Sequence, residues 1–175
     1  MKKIVILNGS NSPKANTAAM VQAFTEGAEA AGNEVNEFMV AHMNIHGCLG
    51  CMKCAAKAKD DPHICVQPDD MEKIYPAVMD ADVIVFVSPM YWWGISGQLK
   101  LAVDRLQAIV GHAGLEHLGR KSTVLLMTFK GGGMQAVLSW YAIFRQIIGC
   151  RDLGAVIGFE KQKIAQAKQL GASIN

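Results

Sequence analysis

Lys3-Ile4-Val5-Ile6-Leu7-Asn8-Gly9-Ser10-Asn11-Ser12-Pro13-Lys14-Ala15-Asn16-Thr17 decides how the rest of the chain is read. Lys3 to Asn8 is an apolar run that reads as a buried β-strand. Beyond Thr17, Met20, Phe24, Ala28 and Ala31 recur at helical spacing, and Gly32 ends the period. A turn of small hydroxyl and amide residues therefore joins a strand end to a helix N-terminus. The first N–H groups of a helix lack internal partners, and its dipole favours negative charge there, so a phosphate is well held at such a place. Ser10, Ser12, Asn16 and Thr17 can add side-chain donors. The same residue types also make ordinary helix caps, and the loop by itself leaves both readings open.

Outward from this unit, strand and helix signals alternate without a linker. Glu34 to Val40 reads as a second strand, and Ala41 to Pro68 as a long irregular section holding four of the five cysteines. Asp69-Asp70 opens a helix through Met71, Ile74 and Val78, since acidic residues suit a helix N-terminus. Val83-Ile84-Val85-Phe86-Val87 is continuous and β-branched, as in a sheet covered on both faces. A third helix carries Leu99, Val103, Leu106 and Val110, and Ser122 to Thr128 is a fourth strand. Val137, Trp140, Tyr141, Phe144, Ile147 and Ile148 mark the apolar stripe of a fourth helix. Leu153 to Ile157 and Lys161 to Leu170 complete the alternation. The expectation is one α/β domain over residues 1–175, with a doubly wound parallel sheet built from right-handed crossovers. Such a sheet places its ligand beyond the strand C-terminal ends, at the topological switch point. Three loops, Gly9 to Thr17, Ser88 to Gly97 and Thr128 to Gly133, are predicted to converge there.

Composition narrows the function classes. Apolar residues make up 51% and charged residues 18%, which suits a globular chain rather than a disordered one. The net charge of +2 comes without any clustered Lys and Arg run, which argues against nucleic acid as a partner. The stretch around Val83 to Val87 is too short to cross a membrane, and Met1-Lys2-Lys3-Ile4 lacks the pattern of a secretory signal. The cytoplasm is the expected compartment, so the five cysteines read as thiols or metal ligands rather than a disulfide framework.

Ser88-Pro89-Met90-Tyr91-Trp92-Trp93-Gly94-Ile95-Ser96-Gly97 follows the most buried strand. Aromatic residues on such a loop suit contact with a flat ligand, although Trp92 and Trp93 could also plug the sheet edge or a subunit interface. Thr128-Phe129-Lys130-Gly131-Gly132-Gly133 can let backbone N–H groups approach a ligand, or can be a simple connector.

With these residues in view, the chain resembles a known family. Gly9 to Thr17 is similar to the G-S-P-R-x-x-x-N-T phosphate loop of the flavodoxin-like NAD(P)H-dependent FMN reductases. Cys48-Leu49-Gly50-Cys51-Met52-Lys53-Cys54, with Cys65 and Asp69-Asp70-Met71, resembles that family's C-x-G-C-x-x-C…C…D-D-M stretch. Ser88 to Lys100 with Asp104-Arg105 resembles its S-P-x-Y-W-x-x-x-S-x-x-L-K…D-R block. The order and spacing agree from Met1 to about Leu106. Asn11 and the displaced Pro13 depart from the phosphate-loop pattern.

The resemblance implies a five-stranded flavodoxin-like sheet of order 2-1-3-4-5 and non-covalently bound FMN. It puts the phosphate on Ser10, Ser12, Asn16 and Thr17, and the ring against Pro89, Met90, Tyr91 and Trp92, with Thr128, Lys130 and Gly131 near its other side. NADPH or NADH would deliver hydride, and a quinone, nitro, azo or free-flavin acceptor would take it. No protein acid or base is required for that transfer, and no catalytic residue is assigned. Lys130 could stabilise an anionic reduced ring. The exposed aromatic loop suits a homodimer or higher homo-oligomer.

Cys48, Cys51, Cys54 and Cys65 follow C-x2-C-x2-C-x10-C spacing, a compact run of the kind that can hold a [4Fe–4S] cluster. The resemblance extends to iron–sulfur flavoproteins, which share the fold and the loop position. Zinc and plain packed thiols are the competing readings, and no metal is the one favoured. His42, His46 and His63 flank the loop and read as surface or hydrogen-bonding residues. Asp69-Asp70 reads as helix capping, Asp104 and Arg105 as structural or interface residues, and Cys150 as packing.

Overall fold

A computed structural model describes residues 1–12, 16–57, 61 and 63–175. Its sheet contains β1 (Lys3–Asn8), β2 (Glu34–Phe38), β3 (Val83–Pro89), β4 (Ser122–Thr128) and β5 (Arg151–Ile157). All pairings are parallel and the order is β2-β1-β3-β4-β5, as the resemblance implies. The three central strands are buried almost end to end, which is why they read as unbroken apolar runs. The edge strand β2 alternates polar residues with half-buried ones.

Side chains alternate between two cores. Ile4, Ile6, Val83, Val85, Val87, Val124 and Leu126 face one side. There α1 (Asn16–Ala30) contributes Met20 and Phe24, and α7 (Lys161–Ala172) contributes Ala167. Val5, Leu7, Ile84, Phe86, Leu125 and Met127 face the other side. That layer is made by α2 (Met71–Asp80), α3 (Gly97–Arg105), α4 (Gln107–Ala113), α5 (Leu115–Gly119) and α6 (Met134–Ile148). Burying a side chain the size of Phe24 or Phe86 contributes about 1.5–3 kcal/mol.

The single third helix expected through Val110 is divided. α3 stops at Arg105, Leu106 links it to α4, and Gly114 at φ 89° separates α4 from α5. The apolar spacing Leu99, Val103, Leu106 survives the break because all three still face the core. The second strand ends at Phe38, two residues early, where Val40–His42 winds into a short helical turn. The fifth strand starts at Arg151, earlier than expected, and carries an irregularity opposite Thr123 and Val124. No described helix is long and apolar enough to cross a membrane.

Candidate functional site

The strand order reverses between β1 and β3, and the loops after β1, β3 and β4 meet above that switch point. Direct contacts fasten them together. Gly9 extends the ladder by donating its N–H to Val87 O at 2.8 Å. Ser96 Oγ donates to Gly9 O at 2.8 Å and accepts the Leu99 N–H at 3.2 Å, so one hydroxyl caps α3 and clamps the first loop. Ser96 N in turn donates to Ser88 Oγ at 2.7 Å. Met90 N–H donates to Thr128 O at 2.9 Å, joining the second and third loops. Thr17 and Thr128, both buried, share a hydroxyl–hydroxyl bond of 2.6 Å that ties the first loop to the third.

The second loop is a tight hairpin. Tyr91 and Gly94 bridge each other, and the two residues between them, Trp92 and Trp93, both take left-handed backbone conformations with φ of 48° and 58°. That region is sparsely used by residues with a Cβ, and such conformers cluster at binding sites. The turn leaves Trp92 90% exposed. Trp93 folds back on the third loop, where its Nε1 donates to Gly132 O at 3.2 Å. A Cβ on Gly133 would lie 2.0 Å from the Trp93 ring, so the end of the glycine run is where this ring packs. Between the loops lies a cavity of about 350 Å³ walled by Met90, Trp92, Trp93, Phe129 and Lys130. A flat, largely apolar ring suits those walls by shape and by chemistry.

Of the predicted site residues, Ser10, Thr17 and Thr128 are buried within the junction. Ser10 N–H donates to Asn8 Oδ1 at 2.9 Å. Pro89 and Met90 are half-buried, whereas Ser12, Asn16, Tyr91, Trp92, Lys130 and Gly131 are exposed around the rim. Pro13, Lys14 and Ala15 lie outside the described residues. The resemblance assigned Thr17 and Thr128 to opposite ends of a ligand, yet they bond to each other; whichever hydroxyl accepts keeps a proton for a further partner. Sequence reasoning placed Ser88, Ser96, Trp93 and Gly133 in the converging loops but gave none of them a role in joining those loops. Serine at a helix start is the one signal that pointed to Ser96.

A second polar centre lies under the cysteine loop. Arg105, 1% exposed, donates to both carboxylate oxygens of Asp69, to His46 O at 2.9 Å, to the Tyr75 hydroxyl at 3.2 Å and to Cys65 Sγ at 3.4 Å. Asp69 also accepts the N–H groups of His46 and Met71. Burial pushes the Asp69 carboxyl up, but Arg105 and these N–H groups outweigh it and hold the group below its ordinary value. Burial acts on the Cys65 thiol in the same sense and is outweighed by the Gln67 N–H and by Arg105, which lower it. The capping read for Asp69-Asp70 is therefore only part of their role. Asp69 is chiefly the partner of Arg105, and Asp70 accepts from Asn44 N–H and pairs with Lys73. Arg105 is structural, as expected.

Cys48, Cys51, Cys54 and Cys65 line one small cavity of about 30 Å³ beside Arg105. Among the described residues, no three Cys, His, Asp or Glu side chains are grouped as ligands of one metal ion. Cys150 stands apart, buried, with burial pushing its thiol up to about 11.

The chain is similar to known proteins in sequence and in fold. The chain is 33% identical over 106 residues to an iron-sulfur flavoprotein of Archaeoglobus fulgidus, covering 61% of this chain and 46% of that protein. It is 31% identical over 103 residues to iron-sulfur flavoprotein MJ1083 of Methanocaldococcus jannaschii, covering 59% of this chain and 51% of the other. The chain spans about half the length of these curated relatives. In fold it resembles the NAD(P)H:quinone oxidoreductase from Methanothermobacter marburgensis, with a TM-score of 0.73 at 16% identity over 99% of each chain. The sequence profile of the NADPH-dependent FMN reductases matches residues 2–163, and the chain belongs to that family of flavin oxidoreductases.

Proposed function

We propose that this protein binds FMN at the switch-point rim and uses it to pass hydride from NADPH or NADH to a small-molecule acceptor of the quinone, nitro, azo or free-flavin type. The observation that carries this reading is the mutual fastening of three loops through Gly9, Ser96, Met90, Thr128 and Thr17 beside an aromatic cavity. Ser10, Ser12, Asn16 and Thr17 would hold the phosphate. Pro89, Met90, Tyr91 and Trp92 would take one side of the ring, with Thr128, Lys130 and Gly131 near the other. When bound, the flavin supplies the two-electron chemistry. The protein's own share is to orient the ring, to shield it with Trp92 and Trp93, and to set the positive charge of Lys130 close by.

A cytoplasmic homodimer fits the same reading. Ala136, Trp140, Ile143 and Ile147 recur along one flank of α6, where Ile143 and Ile147 are exposed, and a second copy would cover them. A second reading, an iron–sulfur flavoprotein electron carrier whose flavin passes electrons to a [4Fe–4S] cluster on Cys48, Cys51, Cys54 and Cys65, is favoured by the shared cavity of those thiols. Its donors are chemically right, with Cys48 and Cys51 exposed and Cys54 and Cys65 half-buried around that cavity.

Anaerobically purified protein should show flavin bands in its visible spectrum, and NADPH should bleach them without any partner protein. Folded protein that remains colourless and ignores added FMN would overturn the proposal. Iron and sulfide near four per chain would replace it with the second reading.

A further inference from the structure

Two large cavities flank the proposed flavin rim, and their charges are opposite. The first, about 630 Å³, lies between α1 and β2 beyond Ser12 and carries Glu26, Glu29 and Glu37. Lys168 compensates Glu26, while Glu29 and Glu37 meet no cation among the described residues. The second, about 640 Å³, lies over the C-terminal end of β5 and carries Lys130, Lys163 and one carboxylate, Glu160. Its aromatic members are Phe129 and Phe159, and Ala155 and Ile157 of β5 also line it. It shares Phe129, Lys130 and Gly131 with the aromatic cavity under Trp92 and Trp93, so the two cavities lie against the same third loop.

The two lysines of this cavity, Lys130 and Lys163, have no carboxylate partner among the described residues. Lys2, Lys3, Lys57, Lys73, Lys100 and Lys168 each meet a carboxylate. Among the described residues, Lys53, Lys121, Lys130, Lys161 and Lys163 do not; Lys121 Nζ is held by the carbonyls of Met79 and Ala81, and the one hydrogen bond of Lys163 Nζ goes to the neutral Gln166 Oε1 at 3.1 Å. Glu160 is partly engaged, since its Oε2 accepts the Phe159 N–H at 3.1 Å. A polyanion with an aromatic base would find charge, ring partners and space in this cavity, and would be repelled by the carboxylates of the other.

We propose that the cavity bounded by Phe129, Lys130, Phe159 and Lys163 receives the adenosine-phosphate end of the dinucleotide reductant, while the nicotinamide reaches the aromatic cavity. This rests on the reading that a dinucleotide reduces a flavin at the rim. It would account for dinucleotide use by a chain with no separate dinucleotide motif: the site is assembled from two stretches, the loop after β4 with Phe129 to Gly131 and the continuous segment from the end of β5 into the first turn of α7.

The test is calorimetric titration of FMN-loaded protein with adenosine 2′,5′-bisphosphate, which has no nicotinamide and cannot react. Lys163→Glu should weaken its binding about tenfold or more, and Phe159→Ala should also weaken it. Glu29→Gln, in the acidic cavity, should leave it unchanged. FMN titration of each apoprotein should match the unsubstituted chain, and thermal melts should show that each variant folds. Protein that binds no FMN overturns the functional reading. Protein that binds FMN normally, yet binds the bisphosphate equally well with or without Lys163 and Phe159, or not at all, overturns this inference alone.

Discussion

Replacing Gly9 with Ala tests whether the three loops act as one unit. The new Cβ would sit 2.5 Å from Ser96 Oγ, 2.6 Å from Leu99 Cβ and 3.1 Å from Leu99 N. Ser96 and Leu99 are both fully buried, so neither can rotate into open space. Relief requires the first loop and the start of α3 to separate by several tenths of an ångström. That movement stretches the Ser96 bonds to Gly9 O and Leu99 N–H. Overpacking of this kind costs about 1–3 kcal/mol, and a weakened helix cap adds about 1 kcal/mol. For a chain of this length, a loss of 2–4 kcal/mol lowers the melting temperature by roughly 5–15 °C. Because the same movement opens the proposed phosphate loop, FMN affinity should fall about tenfold or more. Gly97→Ala is the matched control, since nothing lies within 4 Å of a Cβ there and the position begins α3. It should melt within a degree or two of the parent, or slightly higher. Circular dichroism melts and fluorescence titration of apoprotein with FMN read both effects. A Gly9→Ala protein as stable and as tight for FMN as Gly97→Ala would show that the clamp has no role.

Two further substitutions probe the buried polar centres. Arg105→Met strands the Asp69 carboxylate and should cost about 3–5 kcal/mol by urea denaturation, with Arg105→Lys intermediate because it keeps the charge but loses the fork; a loss below 1 kcal/mol would refute the ion pair as the anchor of the loop. The folded Asp69 carboxyl titrates below its unfolded value, so its contribution is complete above about pH 4 and is lost as pH falls through the folded value. Acid titration of stability should therefore fall less steeply in Arg105→Met than in the parent. Thr17→Val and Thr128→Val should each cost about 1–3 kcal/mol by leaving a buried hydroxyl unpaired, while the double variant should cost less than the sum; strict additivity in a double-mutant cycle would refute the pairing.

The sheet was legible because burial on both faces writes itself directly into composition. Val83 to Val87 and Ser122 to Thr128 are apolar almost without interruption, and both are central strands. Helix limits were less legible where one apolar stripe continues through a break. Leu99, Val103 and Leu106 keep facing the core although the chain leaves helical geometry after Arg105. At the site, the sequence identified which loops converge but not how they are joined. Ser96 to Gly9, Thr17 to Thr128 and Trp93 to Gly133 are separated by 87, 111 and 40 positions, respectively. Such pairs leave no local periodicity. The left-handed turn at Trp92 and Trp93 was equally hidden, because neither residue type favours that conformation alone.

The short motifs around the cysteines gain their meaning from the same distant pairing. Asp69-Asp70-Met71 and Asp104-Arg105 look independent in sequence, and each has an ordinary explanation as a helix start or a surface pair. In the folded chain, Asp69 and Arg105 are one buried unit that also grips His46 O, Tyr75 and Cys65. Arg105 is the last residue of α3, and the cap of that helix is Ser96, the residue that clamps Gly9. One nine-residue helix, about 13 Å long at 1.5 Å per residue, therefore fixes the proposed flavin loop at its N-terminus and the cysteine loop at its C-terminus. A rigid rod with both ends hydrogen-bonded sets the separation of the two loops whether the thiols hold a cluster or only pack. Because Arg105 is buried, water does not compete for the bonds it makes to Asp69, His46 O, Tyr75 and Cys65.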